Sequence, residues 1–192
     1  VAGGLRTISD IRQVLRAGAD KVAINTAAVN NPNFLKEAAH VFGSQCIVAS
    51  LEVFRQKNGN WEVWVDYGRE RTSLDARTWA KQVVELGAGE IMLSSINNEG
   101  TGRGFDLELI RKISMEVPVP VIACGGAGNA QDCVKAAEEG GASAVSAASI
   151  FHYQYAKPVK AASLRERYFM RSGKQIDTGN IDFAYAGYGG IK

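Results

Sequence analysis

The chain has 192 residues, of which 46% are hydrophobic and 22% charged, with a net charge of +2. That is the profile of a soluble, single-domain globular protein able to bury a proper core, and the charge is too small for a nucleic-acid binder. No apolar run approaches the roughly 18 residues of a membrane-spanning helix, no signal peptide opens the chain, and Cys46, Cys124 and Cys133 are unclustered. A cytoplasmic protein with small buried thiols, no membrane association, no metal site and no cofactor is therefore expected.

In chain order, strands are predicted at a stub Val1–Ala2, then at Lys21–Asn25, Cys46–Val53, Glu90–Ser95, Val119–Ala123 and Ala144–Ala148. Helices are expected near 9–17, 32–41, 74–86, 106–116 and 130–139, giving a parallel α/β sheet with right-handed crossovers. Within "EVFRQKNGNWEVWVDYG" (52–68), Asn58-Gly59 between two alternating apolar runs predicts a β-hairpin inserted after the third of these strands.

The chain carries an internal repeat. "AGGLRTISD" (2–10) lies over "ACGGAGNAQD" (123–132), with Gly3-Gly4 on Gly125-Gly126 and Asp10 on Asp132. After one inserted glycine, "AGADKVAINTAAV" (17–29) lies over "GGASAVSAASIF" (140–151), with Val22 on Val145 and Thr26 on Ser149. Each copy reads as strand end, Gly-Gly turn, helix, Gly stop and second strand, with Ser9 or Asn129 as helix cap and Asp10 or Asp132 in the positive first turn. Four βα units separate the copies, so two copies imply about 245 residues, the size of an eightfold barrel. The expected fold is accordingly a (β/α)8 TIM barrel lacking its first two βα units and most of the third strand, in a single domain over 1–192 with an atypical Gly/Tyr-rich tail near 174–192.

The repeat has a chemical reading. Gly-Gly after a strand lets backbone N–H groups approach an anion, the next helix start adds its positive dipole end, and the next strand offers Asn25-Thr26 in one copy and Ala148-Ser149 in the other. Two phosphate cups are expected, at Gly3, Gly4, Asn25 and Thr26 and at Gly125, Gly126, Ala148 and Ser149, taking a ligand with a phosphate at each end. In "CIVASLEV" alternation puts Cys46, Val48, Ser50 and Glu52 on one face, so Glu52 points inward at the C-terminal strand end, where barrel enzymes keep their catalysts. The alternative for Glu52 is a solvated charge at a loop edge. Lys21 and Glu90 open the inward faces of their strands at the opposite end, where inward charges must pair. Thr72 and Ser94 are further substrate-contact candidates that could equally satisfy backbone groups. His40 and His152 are assigned ordinary packing or surface roles.

"GADKVAINTAAVNNP", "FGSQCIV", "ELGAGEIMLSSI", "EGTGRGFDLELI" and "IACGGAGN" resemble the cyclase subunit of imidazole glycerol phosphate synthase, the histidine-biosynthesis barrel, from Val1 to about His152. The resemblance implies a bis-phosphorylated ribulosyl formimino-carboxamide ribotide as substrate, closed to imidazole glycerol phosphate with ammonia from a glutaminase partner. It implies acid–base work at Glu52, where the family has aspartate. It also implies that Asn97-Asn98-Glu99-Gly100-Thr101 replaces Asp-Arg-Asp-Gly-Thr, so that Glu99 can still act while Asn97 cannot. Lys21 and Glu90 match a charged ammonia gate, with a structural salt bridge as the alternative, and Asp20 matches a residue facing the glutaminase. The family's other catalytic aspartate belongs to a first strand that this sequence does not contain, so the fragment alone is expected to be inactive. Two alternatives stand beside the cyclase: a paralogous ammonia-dependent enzyme making amidino sugars for surface polysaccharide, towards which Glu52, Asn97 and Glu99 lean, and a non-catalytic truncated barrel acting as a partner.

Overall fold

The computed structural model describes residues 1–155. It contains α1 (Ile8–Arg16), β1 (Val22–Ile24), α2 (Thr26–Asn30), α3 (Pro32–Phe42), a 3-10 turn (Ser44–Cys46), β2 (Ile47–Arg55), β3 (Trp61–Val65), β4 (Glu70–Asp75), α4 (Ala76–Glu85), β5 (Glu90–Ser95), α5 (Leu107–Ser114), β6 (Val121–Cys124), α6 (Ala130–Glu138), β7 (Ala144–Ser146) and α7 (Ser149–Tyr155). The Gly/Tyr-rich tail lies outside the described residues.

The parallel framework is the one expected. Ala2 bridges Ala23, β1 pairs with β2, β2 with β5, β5 with β6 and β6 with β7, all parallel. Among the described residues the sheet is an open arc rather than a closed barrel, because β7 and the Val1–Ala2 stub do not pair. Alternation decides its two faces. Ile47, Ala49, Leu51 and Val53 of β2, Ile91 and Leu93 of β5, and Val121 and Ala123 of β6 are buried under the helices. Against them pack Leu35 of α3, Trp79 and Val83 of α4, and Leu109 and Ile113 of α5. The opposite face carries Lys21, Asn25, Ser50, Glu52, Glu90, Ser94 and Cys124, each only partly covered or exposed.

The hairpin expectation needs enlarging. Asn58-Gly59 does form the turn, with Gly59 at φ 86° and Gln56 and Asn60 closing it. Its first arm, however, is the C-terminal half of β2 itself, paired antiparallel with β3 from Glu52↔Trp64 to Arg55↔Trp61, and a third strand, β4, follows. β4 is alternately exposed and poor in apolar residues, which hid it, and it takes the residues 74–75 assigned to a helix. A buried carboxylate anchors it. Burial works to raise the pKa of Glu62, but Arg71, Gln56 and the Ser73 N–H all bond its oxygens, and the net direction is downward. On the outer side, the Trp61 ring lies between the Arg55 guanidinium at 5.2 Å and the Lys112 ammonium at 5.1 Å, and its indole N–H donates to Asp106 of the α5 cap. Arg55 also pairs with Glu108 of α5 at 2.8 Å.

Candidate active site

The two repeat copies form the same local structure. Thr7, not Ser9, caps α1: its hydroxyl accepts from the Asp10 N–H, while Asp10 Oδ2 accepts from the N–H groups of Arg6 and Thr7. Asn129 caps α6 identically, and Asp132 Oδ2 accepts from the N–H groups of Gly128 and Asn129. Ser9 is two positions too late, because a cap side chain must reach the N–H three residues on while its own backbone is still extended. The stops also match: Ala19 N–H bonds Val14 O, and Ala142 N–H bonds Ala136 O, with Gly18 and Gly141 at φ 104° and 75°.

Both Gly-Gly turns adopt backbone that only glycine accepts freely, Gly3 and Gly4 at φ 91° and 74°, Gly125 and Gly126 at 91° and 107°. Among the described residues, none of these four N–H groups donates to a backbone or side-chain acceptor of the protein. One βα unit on, the Asn25 carbonyl accepts from Ala28 and Val29, and the Ala148 carbonyl accepts from Phe151 and His152. Thr26 and Ser149 are thus each the first residue of a short helix, α2 and α7, both absent from the expected elements. All these groups sit at the C-terminal ends of parallel strands, on one rim.

Glu52 lies on that rim, on the non-helical face of β2, in register with Ser94 on β5 and Trp64 on β3. Burial raises its pKa above the ordinary glutamate value; the Gly68 N–H, donating to Oε2 at 2.7 Å, and the Asn25 side chain oppose the rise, while the charge of Asp66 adds to it. Two buried polar atoms beside it, Asn25 Oδ1 and Trp64 Nε1, have no hydrogen-bond partner in the protein. Gly68 ends a left-handed turn in which Asp66 and Tyr67 also have positive φ, 50° and 60°, at about 1 kcal/mol or more for each non-glycine residue. Glu52 is therefore a partly buried, hydrogen-bonded acid and not a solvated edge charge.

The loop after β5 brings Glu99 to the Gly125–Gly126 turn. Oε2 of Glu99 lies 3.0 Å from where a Gly125 side chain would begin, and burial raises this carboxyl too. The loop is bonded throughout: Asn98 donates to Gly104 O at 2.8 Å, Thr101 to Asn98 O at 2.7 Å, and Gly104 N–H to Gly126 O at 2.7 Å. Asn97 accepts from Arg55 N–H at 2.6 Å and donates to Arg55 O at 3.4 Å. An aspartate could make only the first of these bonds.

At the other end of the strands, Lys21 and Glu90 form an ion pair, as their inward positions require. Thr72 is occupied within its own hairpin, donating to Val63 O at 2.5 Å and accepting from Leu74 N–H at 3.1 Å. Ser94 stays on the face of Glu52, between Glu52 and Cys124 in register. Among the described residues no cluster of three histidine, cysteine, aspartate or glutamate side chains could hold a metal, and no helix is long and apolar enough to cross a membrane.

Comparison with known proteins supplies the family. Residues 1–157 match the family described as histidine biosynthesis protein. The chain belongs to it. A curated member, the imidazole glycerol phosphate synthase subunit HisF of Alkaliphilus metalliredigens (strain QYMF), is 51% identical over 153 residues, covering 80% of this chain and 61% of the relative. The chain thus spans about three-fifths of the length of that relative. Within this histidine-biosynthesis family fold, sequence reasoning found the glycine turns and both glutamates, but not the Asp66–Gly68 turn or the Gly104–Gly126 contact. The signal for both was present as glycine: "DYG" places one, and "GTGRG" three, where the backbone turns left-handed.

Proposed function

We propose that this chain carries the phosphate-binding and acid–base residues of an ammonia-using cyclase subunit. In this reading the open sheet is an arc of a (β/α)8 barrel. The substrate is bis-phosphorylated, a ribulosyl formimino-carboxamide ribotide closed to imidazole glycerol phosphate in histidine biosynthesis, and the ammonia comes from a glutaminase subunit. The observation that carries it is the matched pair of Gly-Gly turns on one rim, each with unbonded N–H groups and a hydroxyl residue one βα unit on, with Glu52 and Glu99 at the same rim.

The turns hold the terminal phosphates through backbone N–H groups and through Thr26 and Ser149. Glu52 and Glu99, kept protonated to higher pH than free glutamate, can donate a proton as well as accept one. Ser94 on the same face adds a polar contact. The hydroxyl of Thr72 is occupied by backbone, so its share is to stiffen the hairpin. Lys21 and Glu90 form the gate through which ammonia enters the far end of the strands. Glu52→Gln should lower ammonia-dependent turnover of the full-length protein by about 100-fold or more while leaving substrate affinity nearly unchanged. Unchanged turnover would remove Glu52 from the chemistry.

A second reading, the paralogous enzyme supplying ammonia-derived nitrogen to amidino sugars of surface polysaccharide, is favoured by Asn97. Its amide is bonded both ways to Arg55, so this position holds the loop and offers no acid or base. Rescue of a histidine auxotroph by the full-length gene decides for the first reading, and failure of a well-expressed protein to rescue decides against it.

A further inference from the structure

The turn between β3 and β4 is built on a left-handed backbone, as tight hairpin turns commonly are, with the Arg69 guanidinium over the Tyr67 ring at 5.7 Å. Asp66, Tyr67 and Gly68 are consecutively left-handed, and the Arg69 N–H closes them onto Val65 O at 3.0 Å. Tyr67 is 75% exposed, so burial of its ring does not compensate the strain. What the turn gains is two outward hydrogen bonds. Its first N–H, from Asp66, donates to Thr26 Oγ1 at 3.1 Å, and its third, from Gly68, donates to Glu52 Oε2 at 2.7 Å.

We infer that the Asp66–Tyr67–Gly68 turn is a positioning element, seated on Thr26 at the first cup and holding Glu52 through the Gly68 N–H, so that Thr26 sets the place of the Glu52 carboxylate without touching it. This rests on Glu52 being the acid of the proposed site, though not on which substrate the site takes. Thr26 accepts with its oxygen and keeps its proton to donate, so seating the turn and meeting an anion are compatible tasks for one hydroxyl. The Ile96 side chain stands beside the turn, 3.2 Å from where a Gly68 side chain would begin. The groups facing Glu52 from the neighbouring elements are few: Ser94 on β5 and Trp64 on β3 are uncharged, Asn25 after β1 is an amide, and the turn's own Asp66 is the charge that reaches it.

The test is the titration of the Glu52 carboxyl by carbon NMR in the ligand-free full chain, with Glu52→Gln to assign the signal. Thr26→Val keeps the shape of residue 26 and removes the acceptor. It should loosen the turn, weaken the Gly68 bond to the charged form and move the Glu52 titration to higher pH. Thr26→Ser, which keeps the hydroxyl, should leave it at the wild-type position. A Thr26→Val protein that titrates like wild type overturns the inference, and so does an equal shift in Thr26→Ser. Should Thr26→Val not fold, Thr26→Ala, which removes the same acceptor, decides: it should give the same upward shift, and an unchanged titration there is equally fatal. Because no substrate is present, failure here is distinct from failure of the auxotroph to grow.

Discussion

The two glycine turns share their backbone angles and their helix caps, yet their surroundings differ. Among the described residues, no atom lies within 4 Å of where a side chain at Gly3 or Gly4 would begin. At Gly126 the carbonyl of Gly104 lies 2.2 Å from that point, and at Gly128 the carbonyl of Gly102 lies 2.1 Å from it. Glycine in the first copy answers only to φ, whereas in the second it answers to φ and to a loop packed directly against the turn. The floors differ as well: Lys21, paired with Glu90, stands where the second copy has Ala144. A repeated local code therefore need not mean repeated energetics. What each copy tolerates is decided by its neighbours.

The largest separation should come from alanine at the two turns. Gly126→Ala drives a methyl into the Gly104 carbonyl and breaks the 2.7 Å bond between them, at about 3 kcal/mol. Gly4→Ala meets only the left-handed penalty, about 1 kcal/mol. Thermal unfolding should show the first variant melting several degrees below the second, at about 2–4 °C per kcal/mol for a chain of this size. Equal losses would mean that the loop moves aside and that the two turns are alike after all.

The caps should show where the copies remain the same. Thr7→Ala and Asn129→Ala each remove one side-chain acceptor from one capping box and should each cost about 1 kcal/mol in urea unfolding. A clear inequality would show that tertiary packing, rather than the box, holds one of the helices.

Charge sharpens the contrast further. Burial raises the Glu99 carboxyl, so the folded protein binds that proton more tightly than the unfolded chain. The stability it contributes is complete below the ordinary glutamate value and is lost as pH rises through the raised folded value. Glu99→Gln should therefore be more stable than wild type at neutral pH, with the advantage fading in acid. Sulfate, which stays dianionic throughout, should bind more weakly to the Gly125–Gly126 turn of wild type as pH rises through that window, and Glu99→Gln should remove the dependence. The smallest effect belongs to the floor: Lys21→Ala breaks a pair whose lysine is about half exposed, and should change stability by less than about 1 kcal/mol. If Lys21 and Glu90 are the ammonia gate proposed above, the same variant should uncouple glutamine hydrolysis from product formation while sparing turnover with ammonium salt.

The α6 cap, the helix stops and the glycine turns were legible because each is decided within about five residues, and Asp10 and Asp132 serve groups no more than four positions away, while the α1 cap fell at Thr7 and not at the expected Ser9. Glu52 was legible through alternation, because a parallel strand buried on one face must put every second residue on the other. What could not be read came from distance. Asn97 reaches 42 positions back to Arg55, and Asp66 reaches 40 back to Thr26. β4 has almost no apolar signature, because Glu62 and Arg71 secure it in place of a hydrophobic face. The extent of sheet closure was a count of repeats, and among the described residues the arc stays open.

The excursion between β2 and α4 carries a further consequence through Trp61. Its ring is gripped between Arg55 of the sheet and Lys112 of α5, and its indole N–H reaches the cap of that helix. The amide protons of the excursion should exchange with solvent about as slowly as those of β2 and β5, through opening of the whole unit and not of a local flap. Trp61→Leu should release it, accelerating exchange in β3 and β4 while β6 keeps its protection. Slow exchange in β3 and β4 would mark the wall beside Glu52 as a shape made before any ligand reaches that rim.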